Sequence, residues 1–211
     1  MTTTLTTMTT TDPGAACPGA AILSAGLARD DTEIAEAQRL RYRVFSDELG
    51  AKLASRAPGR DEDVFDPWCE HLVVRDERRG AVVGTYRVLT AERARRVGSF
   101  YSETEFDLTS LARWRDGLCE IGRACVDPAY RGGTALLLLW QAIADLMRER
   151  GSTHLIGCAS APLGADGGSA IGLWRRLVRS HLAPGDCRVA PRRPLLVGDG
   201  VAEDLGSSGV T

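Results

Sequence analysis

Lysine and asparagine are the residues that this sequence most lacks. Lys52 is the only lysine among 26 basic residues, and the 211-residue chain contains no asparagine. This bias is typical of the codon usage of a GC-rich genome and says nothing about function. The 26 basic and 28 acidic residues leave a net charge of -2. That balance excludes a global attraction to nucleic acid or to an anionic membrane, although it leaves local patches open.

The cysteines and the apolar runs exclude further classes of protein. The six cysteines are scattered without a C-x-x-C pair, so we predict no metal site and a reducing compartment. The longest apolar run, residues 135–140, is far too short to cross a bilayer, and no basic region followed by an apolar run marks a signal peptide. We therefore expect a soluble, cytoplasmic protein with one folded domain.

Hydrophobic periodicity predicts a mixed α/β layer fold. We predict a disordered tail over residues 1–20, a folded domain over 21–197 and a flexible tail over 198–211. A first helix should begin near residues 30–32, and a hairpin of strands 71–75 and 81–89 should follow, with a candidate bulge at Gly84. The later elements are a helix over 105–113, a strand over 118–126, a helix over 135–150 that ends at Gly151, a buried strand over 154–160 and a helix over 169–182.

Residues 119–141 form the most informative segment, because a strand there leads into a helix through a glycine pair. Backbone amides and the positive end of the helix dipole meet at such a turn, so an anion can bind. The candidate phosphate-binding residues are Arg131, Gly132, Gly133 and Thr134. The charged residues Glu120 and Arg123 lie on the preceding strand. Their spacing alone is equally consistent with a structural ion pair and with a catalytic role.

Other charged residues have two interpretations. The acidic run at residues 61–63, with Asp66, is typical of a solvated loop, and arginines on helices, such as Arg41, are usually solvated as well. Arg87 interrupts an apolar strand and is more suggestive, whereas a lone strand histidine such as His71 is usually structural. Arg93, Arg95 and Arg96, together with Arg148, are either solvated or a docking patch for an acidic partner.

Seven blocks of sequence, in order, resemble a known family. Together they resemble the bacterial ornithine N-acyltransferases, which belong to the GNAT superfamily and are similar to the acyl-homoserine-lactone synthases. The resemblance covers roughly residues 33–194 and implies a GNAT-like mixed central sheet with flanking helices. The blocks are RYRVFSDELGA (41–51), DVFDPWCEHLVV (63–74), VVGTYRVL (82–89), FYSETEFDL (100–108), EIGRACVDPAYR (120–131), LLWQAI (138–143) and IGCAS (156–160).

The resemblance implies a role for each matching residue. Glu120 and Arg123, the two charged residues of the E-x-x-R strand, would be the catalytic residues, with Glu120 as the base. Arg41, Asp63, Asp66 and Arg87 would bind the substrate, the two aspartates by holding the ammonium group of ornithine and Arg87, with Arg123, by holding its carboxylate or shaping the site. Backbone amides over residues 124–126 would stabilise the oxyanion.

The implied reaction transfers a 3-hydroxyacyl chain from acyl carrier protein to the α-amine of ornithine, giving the precursor of ornithine lipids. No bound cofactor is expected, since the acyl phosphopantetheine thioester is a co-substrate. Acyl carrier protein is the favoured donor because Thr134 and Leu136 occupy positions where coenzyme-A-dependent relatives have small residues that surround a pyrophosphate. Transient membrane association through the lipid product is a further implied property.

Relatives continue well beyond residues 193–195, which leaves open whether the final strands of the fold are present. Two kinds of alternative remain for the function. One is another amine N-acyltransferase, including an enzyme like the lactone synthases that uses S-adenosylmethionine. The other is a truncated, noncatalytic domain that binds acyl carrier protein. Acyl chain length and oligomeric state are not predicted.

Overall fold

The computed structural model describes residues 8–9, 21–55, 57–161 and 168–194. In these ranges the strands are β1 (Met8–Thr9), β2 (Ile22–Leu27), β3 (Glu70–Asp76), β4 (Ala81–Thr90), β5 (Phe106–Asp107), β6 (Leu118–Val126), β7 (His154–Ile156) and β8 (Ala190–Pro191). The α-helices are α1 (Asp31–Tyr42), α2 (Ala91–Val97), α3 (Ser102–Glu105), α4 (Thr134–Arg150) and α5 (Gly168–His181).

The main sheet has the strand order β1-β2-β3-β4-β6-β7. Its first five strands pair antiparallel, whereas β6 and β7 pair parallel. The parallel pair follows from the long crossover through α4, which returns the chain to the starting end of the sheet. A separate two-stranded pairing joins β5 to β8.

Helices cover both faces of this sheet. Helix α4 buries Leu138, Leu139 and Ile143 against a core that includes Leu72 and Val88. On the other face, α1 contributes Ala37 and Leu40 to a core with Val73, Val82 and Cys125. Successive side chains of β3 and β4 therefore pack into two different cores, one on each face of the sheet. Both strands are buried along nearly their whole length.

Several predicted elements are confirmed. Helix α1 begins where expected, because the Asp30 side chain caps it by accepting from the backbone N–H groups of Thr32 and Glu33. The β3–β4 hairpin, strand β6 and helix α4 are present, and Gly151 ends α4 with a φ of 67°. The register of β3 against β4 shifts at Val74, the partner of Gly84, so the candidate bulge is also present.

Other predictions are wrong. Strand β2 was not predicted, although it pairs with β3 over five residues. The predicted helix over 105–113 is instead the short α3, strand β5 and a 3-10 helix over Thr109–Gly117. The strand predicted over 154–160 is only three residues long, and its first side chain is exposed. The two predicted tails stay predictions, because strand β1 is the part of residues 1–20 that the structure describes, and residues 198–211 lie outside the described residues.

Strand β6 contains the feature that builds the site. Thr85 pairs with Cys125 and Arg87 with Gly122, so two residues of β6 oppose Tyr86 alone. One of the two is Arg123, whose φ of 54° is the only positive value among non-glycine residues in the described ranges. A left-handed arginine costs about 1 kcal/mol or more, and such strain persists only where the surrounding structure holds it. The bulge therefore fixes where the Arg123 side chain leaves the strand.

Candidate active site

Three arginines and three aspartates form a closed ring of alternating charge where β4 and β6 meet the loop before β3. Arg41 comes from α1, Arg87 from β4 and Arg123 from β6, and the aspartates come from the acidic run. The successive nitrogen–oxygen distances are 3.0 Å for Arg41–Asp61, 3.0 Å for Asp61–Arg123, 3.4 Å for Arg123–Asp63, 2.7 Å for Asp63–Arg87, 2.8 Å for Arg87–Asp66 and 2.6 Å for Asp66–Arg41.

Asp66 is a buried member of the ring, and both of its carboxylate oxygens accept hydrogen bonds. Its Oδ1 accepts from Arg41, and its Oδ2 accepts from Arg87 and from the backbone N–H of Asp63. Burial alone would raise the pKa of the Asp66 carboxyl, but the charges of Arg41 and Arg87 outweigh burial and bring the pKa to about 2. Asp66 is therefore ionised, and its oxygens are engaged inside the protein.

Asp61 occupies the opposite side of the ring and is also buried. Its Oδ2 lies 3.0 Å from the Nε atoms of both Arg41 and Arg123. Neither contact has hydrogen-bond geometry, and Oδ2 and both Nε atoms have no hydrogen-bond partner. These contacts are therefore ionic in character, with the carboxylate held between two guanidinium groups.

Asp63 and Arg123 are the two exposed members of the ring. Their side chains are 20% and 25% exposed, against at most 5% for the other four. The contact between them is also the longest in the ring, at 3.4 Å. The ring is closed towards the core and weakest where it faces solvent.

His71 supports the ring from β3. Burial lowers the pKa of His71, so the imidazole is neutral near pH 7. Its Nε2 lies 3.2 Å from the carbonyl oxygen of Asp66 and its Nδ1 lies 3.5 Å from Nη1 of Arg41. A neutral ring satisfies both contacts if Nε2–H donates to the carbonyl and Nδ1 accepts from the guanidinium. The structural interpretation of this histidine fits its geometry.

Glu120 lies on the same strand as Arg123 and is buried. Its carboxylate accepts the backbone N–H groups of Tyr101, at 2.7 Å, and Ser102, at 2.6 Å, as well as the Ser102 hydroxyl. The thiol of Cys158 in turn donates to the Ser102 hydroxyl oxygen at 3.4 Å. The start of α3 therefore holds Glu120 in one orientation.

A pocket opens between Glu120 and Arg123. Its thiols are poor nucleophiles, because burial raises the pKa of Cys69 to about 12 and also raises the pKa of Cys158. Its charged groups are the Glu120 carboxylate and the guanidinium groups of Arg87 and Arg123, which suits proton transfer and ion pairing with a substrate. The lining residues are Phe65, Cys69, Arg87, Leu89, Tyr101, Glu120, Ile121, Gly122, Arg123 and Cys158.

The glycine turn lies at the start of α4, as predicted. Gly133 is the N-cap residue with a φ of 96°, and no side chain caps the helix. The first backbone N–H groups of this 17-residue helix therefore have no side-chain oxygen to accept them. The Arg131 guanidinium is not free to bind a ligand at this turn, because it forms a bidentate salt bridge with the Glu48 carboxylate at 2.5 and 2.7 Å.

Comparison with known proteins identifies the family. The model of the acetyltransferase (GNAT) domain matches residues 40–141. An L-ornithine Nα-acyltransferase of Rhodobacter capsulatus is 41% identical over 174 residues, which are 79% of this chain and 67% of the relative. The chain belongs to the L-ornithine Nα-acyltransferase family. This confirms the family recognised from the seven sequence blocks and the predicted GNAT-like fold class.

Other relatives of this L-ornithine Nα-acyltransferase family member are similar over shorter stretches. The protein with the same name from Agrobacterium fabrum is 41% identical over 150 residues, which are 66% of this chain and 51% of the relative. The chain thus spans about half to two thirds of the length of these relatives. Among solved structures, the acyl-homoserine-lactone synthase LasI is 16% identical, with a TM-score of 0.49 over 80% of this chain and 86% of that protein.

In this member of the L-ornithine Nα-acyltransferase family, the structure brings together most of the residues that the sequence analysis singled out. The six predicted catalytic and substrate-binding residues lie around the ring and pocket, whereas residues 131–134 of the glycine turn neither belong to the ring nor line the pocket. Sequence reasoning missed Asp61, Tyr101 and Ser102 as parts of the site. Asp61 was visible only as one member of an acidic run. Tyr101 and Ser102 lie in the block at residues 100–108, but sequence reasoning assigned no role to the backbone N–H groups and the Ser102 hydroxyl that contact Glu120.

The predicted docking patch is largely paired with acidic groups. Arg95 and Arg96 lie on α2, not on a loop, and contact Asp116 at 2.7 Å and Glu92 at 2.8 Å. The other two arginines also have acidic neighbours, with Arg93 lying 3.5 Å from Glu70 and Arg148 lying 3.0 Å from Asp145.

Within the described ranges, no helix is both long and apolar enough to cross a membrane.

Proposed function

We propose that this chain transfers a 3-hydroxyacyl group from acyl carrier protein to the α-amine of ornithine. The observation that carries the proposal is a pocket that joins Glu120, Arg123 and Arg87 in a member of the L-ornithine Nα-acyltransferase family. The product is an N-acylated amino acid, the precursor of an ornithine lipid. Glu120 is the catalytic base, and the charge ring is the acceptor site.

The acceptor amine must be neutral before it can attack. The Glu120 carboxylate receives a proton from the α-ammonium, directly or through one water molecule, and leaves a nitrogen lone pair free. That lone pair forms a bond to the thioester carbonyl carbon, and the carbonyl oxygen becomes an oxyanion. Backbone N–H groups near the β6 bulge, over residues 124–126, stabilise this charge. Collapse breaks the carbon–sulfur bond. The leaving thiolate takes the proton that the attacking nitrogen gives up as it becomes an amide, and Glu120 releases its own proton to water.

The exposure of the ring members favours two of them as direct substrate contacts. Asp63 binds the side-chain ammonium of ornithine, and Arg123 binds its carboxylate, because these two side chains reach solvent. Asp66 and Arg87 are engaged with each other at 2.8 Å and are 3% and 5% exposed. Together with Arg41, they support the two contact residues from below.

The donor site is assigned to the glycine turn of α4, at Arg131, Gly132, Gly133 and Thr134. The N-terminal amides of α4 suit a single phosphodiester, such as that of phosphopantetheine. Thr134 and Leu136 leave less room for the pyrophosphate of coenzyme A. A carrier protein is therefore the proposed donor. The pairing of Arg95 and Arg96 with acidic neighbours weakens the argument for a docking patch on α2.

The test is to mix the purified chain with 3-hydroxyacyl carrier protein or 3-hydroxyacyl coenzyme A of the same chain length, with a panel of amines. The panel contains ornithine, lysine, putrescine and S-adenosylmethionine, and mass spectrometry detects acylated products. The proposal expects acyl-ornithine with the carrier-protein donor. Product from another amine alone, or carrier binding without product, would overturn it in favour of a different transferase or a noncatalytic binding domain.

A further inference from the structure

Asp61 has a buried carboxylate whose Oδ2 atom accepts no hydrogen bond. The residue is 3% exposed, and Oδ2 lies 3.0 Å from the Nε atoms of Arg41 and Arg123 without hydrogen-bond geometry. A buried charge of this kind is costly to maintain, since water is lost and little is gained in directed bonds. A buried polar group left in this state calls for a functional reason.

Arg123 is the residue to which Asp61 gives a fixed position. Its backbone has a φ of 54° at the β6 bulge, and its guanidinium carbon lies 5.6 Å from the centre of the Tyr101 ring. Asp61 lies at the Nε side of the guanidinium, while Asp63 lies 3.4 Å from Nη2. Arg123 is thus held at its inner edge by a buried carboxylate and at its outer edge by an exposed one.

We propose that Asp61 is a positioning residue that anchors the Nε side of Arg123, so that the two Nη atoms meet the carboxylate of the acceptor. This inference rests on the proposed function and deepens it. The acceptor enters by opening the 3.4 Å contact between Arg123 and Asp63. Arg123 then pairs with the substrate carboxylate and Asp63 with the substrate ammonium, while Asp61 stays in place.

Charge balance explains why such an exchange selects an amino acid. The ring holds three positive and three negative side chains, so it is neutral when closed. Ornithine with a neutral α-amine carries one carboxylate and one side-chain ammonium, and its entry leaves every ring member paired. A diamine without a carboxylate leaves the two Nη atoms of Arg123 without a partner in a partly buried site, which is unfavourable.

The test compares ornithine with ornithine amide, which lacks the carboxylate that Arg123 is proposed to bind. Asp61→Asn keeps the size of the side chain and removes its charge. If Asp61 acts through Arg123, the substitution lowers kcat/KM for ornithine by about 10- to 100-fold, as expected for a displaced substrate contact. For ornithine amide the same substitution changes kcat/KM by no more than about twofold, the usual limit for independent effects.

Glu62→Gln is the matched control, because it removes a neighbouring negative charge from the same acidic run outside the ring. It should leave kcat/KM unchanged for both acceptors. An equal loss with both acceptors in Asp61→Asn would overturn the inference, since a general structural defect does not depend on the substrate carboxylate. If the native chain acylates neither acceptor, the proposed function itself fails, and the two failures are thereby distinguished.

A second variant keeps the inference testable if Asp61→Asn does not fold. Arg123→Lys retains the positive charge but lacks the Nε group that faces Asp61. The same selective loss with ornithine is expected, and Asp61→Glu in the Arg123→Lys background should add no more than about twofold. If Asp61→Glu lowers kcat/KM by the same factor in the native and the Arg123→Lys backgrounds, and that factor exceeds twofold, the two residues act independently. That result would overturn the inference.

Discussion

The Oε1 atom of Glu120 lies 2.6 Å from the backbone nitrogen of Ser102, so a strand residue anchors the start of a helix 18 residues earlier in the chain. The same carboxylate accepts from the backbone N–H of Tyr101 at 2.7 Å. The residue that we propose as the base is therefore also the group that holds one wall of the pocket. Changes at this residue should affect both turnover and stability.

Replacing Glu120 by Gln should abolish turnover and also destabilise the protein. A glutamine offers one acceptor oxygen in place of two, and its amide N–H₂ would face a backbone N–H. The expected cost is about 1–3 kcal/mol, measured by denaturant unfolding. Ser102→Ala is the control, because it removes only the hydroxyl and leaves the carboxylate. Full turnover in the glutamine variant would show that Glu120 is not the base.

Asp66→Asn and Asp63→Asn should have different consequences. The first leaves Arg41 and Arg87 without their shared buried carboxylate, so unfolding free energy should fall by about 3–5 kcal/mol. The second affects the exposed carboxylate, and its main effect should be a rise of about tenfold or more in the KM for ornithine, as expected for the loss of a charge-assisted hydrogen bond. Unchanged acceptor saturation in Asp63→Asn would remove this residue from the acceptor site.

Stability should decrease as the pH falls below the ordinary histidine pKa of 6.5. Burial lowers the pKa of His71 in the folded state, so below pH 6.5 the unfolded chain binds a proton that the folded chain does not, and unfolding is favoured. His71→Gln should therefore lose less thermal stability than the native protein between about pH 7.5 and 5.5. Gln in place of the exposed His154 is the control, and an identical pH dependence in the native protein and His71→Gln would contradict this account.

Gly133→Ala should destabilise the turn before α4. Alanine strongly disfavours the φ of 96° found there, at a cost of about 1 kcal/mol. If the turn binds the donor, the Kd for acyl carrier protein should rise as well. Gly132→Ala is a control for the stability effect alone, and it should leave the free energy of unfolding nearly unchanged, since Gly132 lies outside the left-handed region and has open space around it. Equal donor affinity in the native protein and both variants would move the donor site elsewhere.

Sequence patterns predicted the elements whose signals are local. The start of α1, the β3–β4 hairpin and Gly151 at the end of α4 all follow from residue types within a few positions. Strand β2 was missed because ILSAGL has little alternation and gains its stability from pairing with β3. Tertiary pairing of this kind leaves no local pattern.

The site shows the same division. The seven sequence blocks contained every charged residue of the ring except Asp61, but the spacing of the three aspartates did not show which arginine each would meet. The strained backbone of Arg123 was also invisible, since arginine carries no sequence signal for a positive φ. Both features arise only when the loop before β3 folds against the bulge of β6.

The central claim is that the acyl group is attached to the α-nitrogen of ornithine. The most direct measurement uses ornithine labelled with ¹⁵N at the α position, 3-hydroxyacyl carrier protein and tandem mass spectrometry of the product. The account predicts an acyl fragment that retains the ¹⁵N label. An acyl group found on the unlabelled side-chain nitrogen, or no acyl-ornithine from a folded chain that binds the carrier protein, would contradict it.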